Sequence, residues 1–186
     1  MLNKFSFNGF LIFTSIFITM FAFYDKSFYD FGLNNYYLES WDYIIYLFQL
    51  FVSVFLHWDI FHLLFNILFL YIFWYTLEIL IWIKKYIIFF IFVIFFNWIL
   101  ITLLAWNSNT IGISWFAMAI ISYYVMDLKS RNNPEYKWWI TAIIVNIAIW
   151  FIPGISLYGH LFWAIAWVIF YLLNKSFFKF KFVWES

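Results

Sequence analysis

Apolar residues run along this chain in long unbroken stretches, as at 87–101 and 138–152, with no regular alternation of polar positions. Strands of a membrane barrel alternate apolar and polar faces, so continuous runs predict helices. Dividing the chain at its polar breaks gives six apolar spans, at 7–23, 60–80, 86–105, 112–127, 138–152 and 157–174. A membrane-crossing helix needs about 20 predominantly apolar residues, and these spans predict an all-α membrane bundle. Between the first two spans lies the mixed segment 24–59. Asp25, Asp30, Asn34, Asn35, Glu39 and Asp42 make its first part polar, while 43–56 is apolar but short for a full crossing. That pattern predicts an external loop partly embedded in the bilayer. No small-x-small cleavage site follows the first apolar run, which predicts a retained helix there. No linker or internal repeat divides the rest, so 1–186 reads as a single transmembrane domain.

Composition agrees with lipid as the main solvent. Hydrophobic residues make up 68% and charged residues 10%, against about a quarter charged in a soluble domain. A formal net charge of +1 speaks against nucleic acid as a partner, and the absence of cysteine excludes disulfides and thiolate metal sites. Charge also orients the helices. With six spans and both termini cytoplasmic, nine of the ten basic residues fall inside and only Lys26 falls outside, as the positive-inside bias requires. A seventh span at 43–56 breaks that pattern. The closing stretch from Asn174 to Phe182 mixes lysine with phenylalanine and suits the inner headgroup layer.

Polar groups inside such spans are costly, and each is a candidate functional residue. His62 and Asn66 are four apart in the second span and share a helix face. Ser114 opens the fourth span and His160 lies near the start of the sixth. The charge-derived orientation puts all four at similar depth, near the external face. A serine hydroxyl becomes a nucleophile when an imidazole takes its proton, so Ser114 and His160 form a candidate catalytic pair. No acidic residue accompanies His160 in its span, which predicts a dyad. The oxyanion of a tetrahedral intermediate needs donors, and the His62 imidazole, the Asn66 amide and the Ser114 backbone N–H are suited to that role. Taken one at a time, a membrane serine is usually a packing or back-bonding residue and a histidine an interhelical bridge. A metal site from His57, His62 and His160 is the other reading of the histidines. No embedded carboxylate joins them, and on a continuous helix His57 and His62 point about 140° apart. Neither a metal nor a cofactor is expected.

These residues carry a resemblance over 41–168. His57-Trp58-Asp59-Ile60-Phe61-His62, followed by Asn66, resembles the His-x4-His-x3-Asn signature of the rhomboid intramembrane proteases. Gly112-Ile113-Ser114-Trp115 is similar to that family's Gly-x-Ser-Gly nucleophile motif, and Gly159-His160 to its catalytic histidine. The resemblance implies a six-helix serine protease of the membrane. Ser114 and His160 would be catalytic, His62 and Asn66 would stabilise the oxyanion, and Gly112, His57 and Gly159 would support the motifs. It also implies transmembrane protein substrates, reached through lipid.

The family commonly carries glycine where this chain has Trp58, Trp74, Trp82, Trp106, Trp115, Trp163 and Trp167. Close helix contacts in membranes rely on small residues, and overpacking one costs about 1–3 kcal/mol. Trp163 and Trp167 share a helix face with His160, the face that must approach Ser114. Two readings follow. The chain is a catalytically impaired rhomboid-like pseudoprotease that binds membrane helices. Alternatively, these tryptophans stand at UGA codons that the source organism reads as glycine. The count of 13 Trp against 5 Gly favours the second, because glycine is normally frequent in membrane helices.

Overall fold

The computed structural model describes residues 6–80, 83–104 and 109–149, with position 169 alone beyond them, the side chains of 74–77, 79–80 and 146–149 excepted. The predicted sixth span at 157–174 and the lysine–phenylalanine stretch after it lie outside the described residues, apart from that one helical position. Every described element is helical, and extended pairing is confined to one isolated bridge.

Helix α1 (Phe7–Tyr24) starts where Ser6 turns its hydroxyl onto the Gly9 N–H at 3.1 Å. Its buried positions Phe7, Asn8, Leu11, Ser15, Thr19 and Ala22 recur every three or four residues. One stripe therefore faces the bundle, and Phe10, Phe13, Phe17 and Met20 face outward. A 3-10 turn (Lys26–Phe31) follows, then the short α2 (Tyr36–Glu39) and α3 (Tyr43–Val52). In α3 the residues Tyr46, Gln49 and Leu50 are buried while Ile44, Leu47, Phe48 and Phe51 are exposed. A second 3-10 turn (Ser53–Phe55) ends this loop, and α4 (Ile60–Leu80) sets off at 78° to α3.

Helices α5 (Ile83–Leu104), α6 (Ser114–Ser130) and α7 (Tyr136–Ile149) complete the described bundle. The matching pattern-derived spans were 86–105, 112–127 and 138–152. Helices α1 and α5 are long and apolar enough to cross a membrane, and the bent pair 43–55 with 60–73 is a third candidate as a broken span or re-entrant loop. Helix α6 differs from the others. It is buried almost all round, from Trp115 through Tyr123 and again at Val125, Asp127 and Leu128. It packs against α4, α5 and α7. A helix buried on every side is the centre of its bundle, and Ser114 is the first residue of this one.

The far end of α6 closes on itself. Asp127 accepts from the Arg131 guanidinium at 2.8 Å, and Asn132 takes a left-handed conformation as the chain turns toward α7. At the N-terminal end of α1 a polar cluster ties three helices together. The Glu78 carboxylate on α4 accepts from the Ser6 hydroxyl at 3.0 Å and the Asn8 backbone N–H at 2.6 Å. Asn8 in turn accepts from the Tyr86 hydroxyl on α5 at 2.7 Å. A carboxylate at a helix N-terminus meets unpaired N–H groups and the positive end of the dipole, so Glu78 caps α1.

Candidate active site

The loop before Ser114 is held by the segment between α1 and α4, which lies far from it in sequence. Leu33 and Thr110 form an antiparallel bridge. Beside it the Asn109 amide donates to the Tyr29 carbonyl at 3.1 Å, and Gln49 donates to the carbonyls of Asp30 and Gly32 at 3.0 and 2.9 Å. Gly32 sits so close to Asn109 that a β-carbon there would collide with the Asn109 side chain. One residue before the nucleophile motif ends its turn, the Gly112 N–H donates to the Ser53 carbonyl at 2.9 Å. Gln49 is the only polar residue between Tyr46 and Val52, and its isolation in an apolar stretch was the available signal for this role.

Gly112 has φ +107°, a region that L side chains rarely enter. It also leaves room for a neighbour. A β-carbon at Gly112 would lie 2.9 Å from both Cε1 and Nε2 of His62 and 3.8 Å from Cδ2 of His57. The His62 ring thus rests on the backbone two residues before Ser114. Motif residues separated by fifty positions are brought together here.

His57 corrects one geometric expectation. A continuous helix would splay His57 and His62 apart, but α4 begins only at Ile60, with Asp59 accepting the His62 N–H at 2.8 Å. The break folds His57 back, and the two rings meet edge to face at 4.9 Å. His57 is fully buried, with Nδ1 3.0 Å from the Thr19 hydroxyl and 3.2 Å from the Phe55 carbonyl. Its backbone carbonyl accepts from Tyr29 at 3.0 Å. Burial, helped by the neighbouring His62, pushes its pKa down to about 3, so the ring is neutral. A neutral ring beside the Phe55 carbonyl carries its proton on Nδ1, and Nε2 has no hydrogen-bond partner among the described residues.

Asn66 is buried, and one N–H of its amide back-bonds to the His62 carbonyl at 3.0 Å. The second N–H of that group is left for another acceptor. Trp115 is buried beside Ser114 and belongs to the main apolar cluster with Phe116 and Met118. Trp58 is half exposed and stacks on Tyr29 at 4.8 Å. His160, Gly159, Trp163, Trp167, Trp82 and Trp106, with the side chain of Trp74, lie outside the described residues. The described part of the site is therefore a helix-start serine, a glycine turn, and two histidines packed against that turn.

A family model for the Rhomboid domain matches residues 46–175, well over half of the 186. No curated protein and no solved structure matches the chain.

Proposed function

The chain belongs to the rhomboid family, and we propose that it is a serine endopeptidase that cleaves transmembrane segments of other membrane proteins. The observation that carries this reading is the contact of the His62 ring with Gly112, two residues before Ser114. It brings the donor helix to the nucleophile's own turn. In this reading Ser114 Oγ attacks the scissile carbonyl while His160 takes its proton. The developing oxyanion is met by the Ser114 backbone N–H, the His62 ring and the second N–H of the Asn66 amide. His160 then returns the proton to the leaving amine, and water hydrolyses the acyl-enzyme by the same base. Six spans put the termini in the cytoplasm and the dyad near the external face, where a substrate helix enters from the lipid.

The expected result is cleavage of a transmembrane reporter by the reconstituted protein and its loss in Ser114→Ala and His160→Ala, with helical circular dichroism unchanged. Full cleavage by Ser114→Ala overturns the mechanism. A second reading has one observation in its favour. Trp115 fills the core directly after Ser114, as suits a pseudoprotease that binds membrane helices without cutting them. A fluorophosphonate probe separates the two, labelling Ser114 only in an active protease.

A further inference from the structure

Three residues of the described chain have positive φ: Gly112, Asn132 and Trp41. The first two are of the kinds that enter that region readily. Asn132 ends α6 in a two-bond closure, its own N–H donating to Lys129 at 3.1 Å and the next N–H, of Asn133, donating to Leu128 at 2.9 Å. Trp41 ends α2 in the same way at φ 63°. Its N–H donates to Leu38 at 3.3 Å, and the Asp42 N–H donates to Tyr37 at 2.9 Å. In this helix ending the left-handed residue is usually glycine and sometimes asparagine. A β-carbon opposes the conformation, and nothing in the surroundings of Trp41 offsets that. Its indole is 78% exposed and meets Tyr43 edge-on at 6.1 Å. An indole anchored at the headgroup layer accounts for a tryptophan in this loop but not for this backbone.

Position 41 is not among the seven motif tryptophans, so it bears on their origin independently. Trp115 does not decide the matter, since the core accommodates its ring. We infer that Trp41 stands at a UGA codon read as glycine in the source organism. The natural polypeptide then has glycine at position 41 and at every other tryptophan that shares the codon, position 115 among them if its codon is also UGA. UGA is one base from UGG, which encodes tryptophan, and one base from GGA, which encodes glycine. The ratio of 13 Trp to 5 Gly follows from such a reassignment. So does the left-handed backbone at the end of α2, which an indole does not explain. The consequence for catalysis rests on the proposed protease function: glycine at 115 removes the ring beside Ser114.

Two readouts test this separately from activity. The expected findings are UGA at codon 41 and, by peptide mass spectrometry of the protein from its source cells, glycine in the peptide that contains Tyr37 and Tyr43. UGG at codon 41, or a native peptide carrying tryptophan there, overturns the inference. Two chains are then made in one host, one as written and one with glycine at each UGA position, and treated with a fluorophosphonate. Labelling of Ser114 in the glycine chain alone supports both the inference and the protease function. With glycine established by mass and neither chain labelled, the reassignment stands and the protease function falls.

Discussion

Leu33 and Thr110 exchange both of their backbone hydrogen bonds, each at 2.9 Å, and so join the loop between α1 and α4 to the segment that reaches Ser114 four residues later. Asn109 reinforces the join through its bond to the Tyr29 carbonyl and its contact with Gly32. Asn109→Ala removes one of the two donors to that carbonyl, leaving the Gly32 N–H at 3.0 Å, a loss of about 1 kcal/mol. The nucleophile turn loosens with it. Thermal unfolding in detergent should shift down, and turnover of a transmembrane reporter should fall while its KM changes little. An unchanged melting temperature would show that the bridge holds without Asn109.

Gly112 is the tightest point of the site. A methyl group there is forced into a positive-φ backbone and placed 2.9 Å from the His62 ring. The conformational strain alone is about 1–3 kcal/mol, and the ring must also move. In the chain with glycine at the UGA positions, Gly112→Ala should therefore lose fluorophosphonate labelling of Ser114 more completely than it loses fold. Comparison of labelling with circular dichroism on the same sample measures this, and equal loss of both would point to a purely structural glycine.

His57 predicts a pH dependence of stability. Its folded pKa of about 3 lies below the ordinary 6.5, so the folded protein keeps the ring neutral where the unfolded chain takes up a proton. Above pH 6.5 neither state protonates it. As the pH falls from 6.5 toward 3 only the unfolded state gains a proton, and stability is progressively lost over that window. Carboxylates titrate in part of the same range, so the comparison is with His57→Asn, which retains a donor near the position of Nδ1. Melting temperatures of the two proteins should converge as the pH drops from 6.5, and parallel curves would count against a buried neutral His57.

Glu78 caps α1 from the neighbouring helix through its contacts with Ser6 and Asn8. Glu78→Gln keeps the acceptor but removes the charge, at a cost of about 1 kcal/mol. The variant should melt earlier and still label at Ser114, because the cluster lies among Ser6, Asn8, Leu70 and Tyr86 and touches none of the site residues. Loss of labelling without loss of stability would assign Glu78 a part in catalysis.

Trp41 carries a conformational prediction of its own. Trp41→Gly should stabilise the protein by about 1 kcal/mol, the relief of a left-handed non-glycine residue less the extra freedom of the unfolded chain. Trp41→Ala keeps the β-carbon and should bring no such gain. Chemical denaturation of the two variants side by side decides it, with equal stability refuting the strain.

Much of this molecule is legible in the order of its residues. Continuous apolar runs specify helices because lipid leaves the backbone no other partner. The helix at Ile60 begins where the pattern puts it. Ser114, His62 and Asn66 stand out as candidates because polar groups are scarce in such runs. Spacing along a chain does not report contacts across it. It sets His57 and His62 about 140° apart on a continuous helix, where the break before Ile60 brings the rings together. It says nothing of Thr19 as the partner of the His57 ring. Nor does it report that the Glu78 carboxylate faces the first turn of α1. Only tertiary structure brings Leu33 to Thr110 and His62 to Gly112, because those pairings depend on where the chain bends. Bends are set by backbone conformation and not by hydropathy. The same holds for Trp41: composition makes the tryptophans numerous, but only the tertiary structure sets one of them at positive φ, at the end of α2.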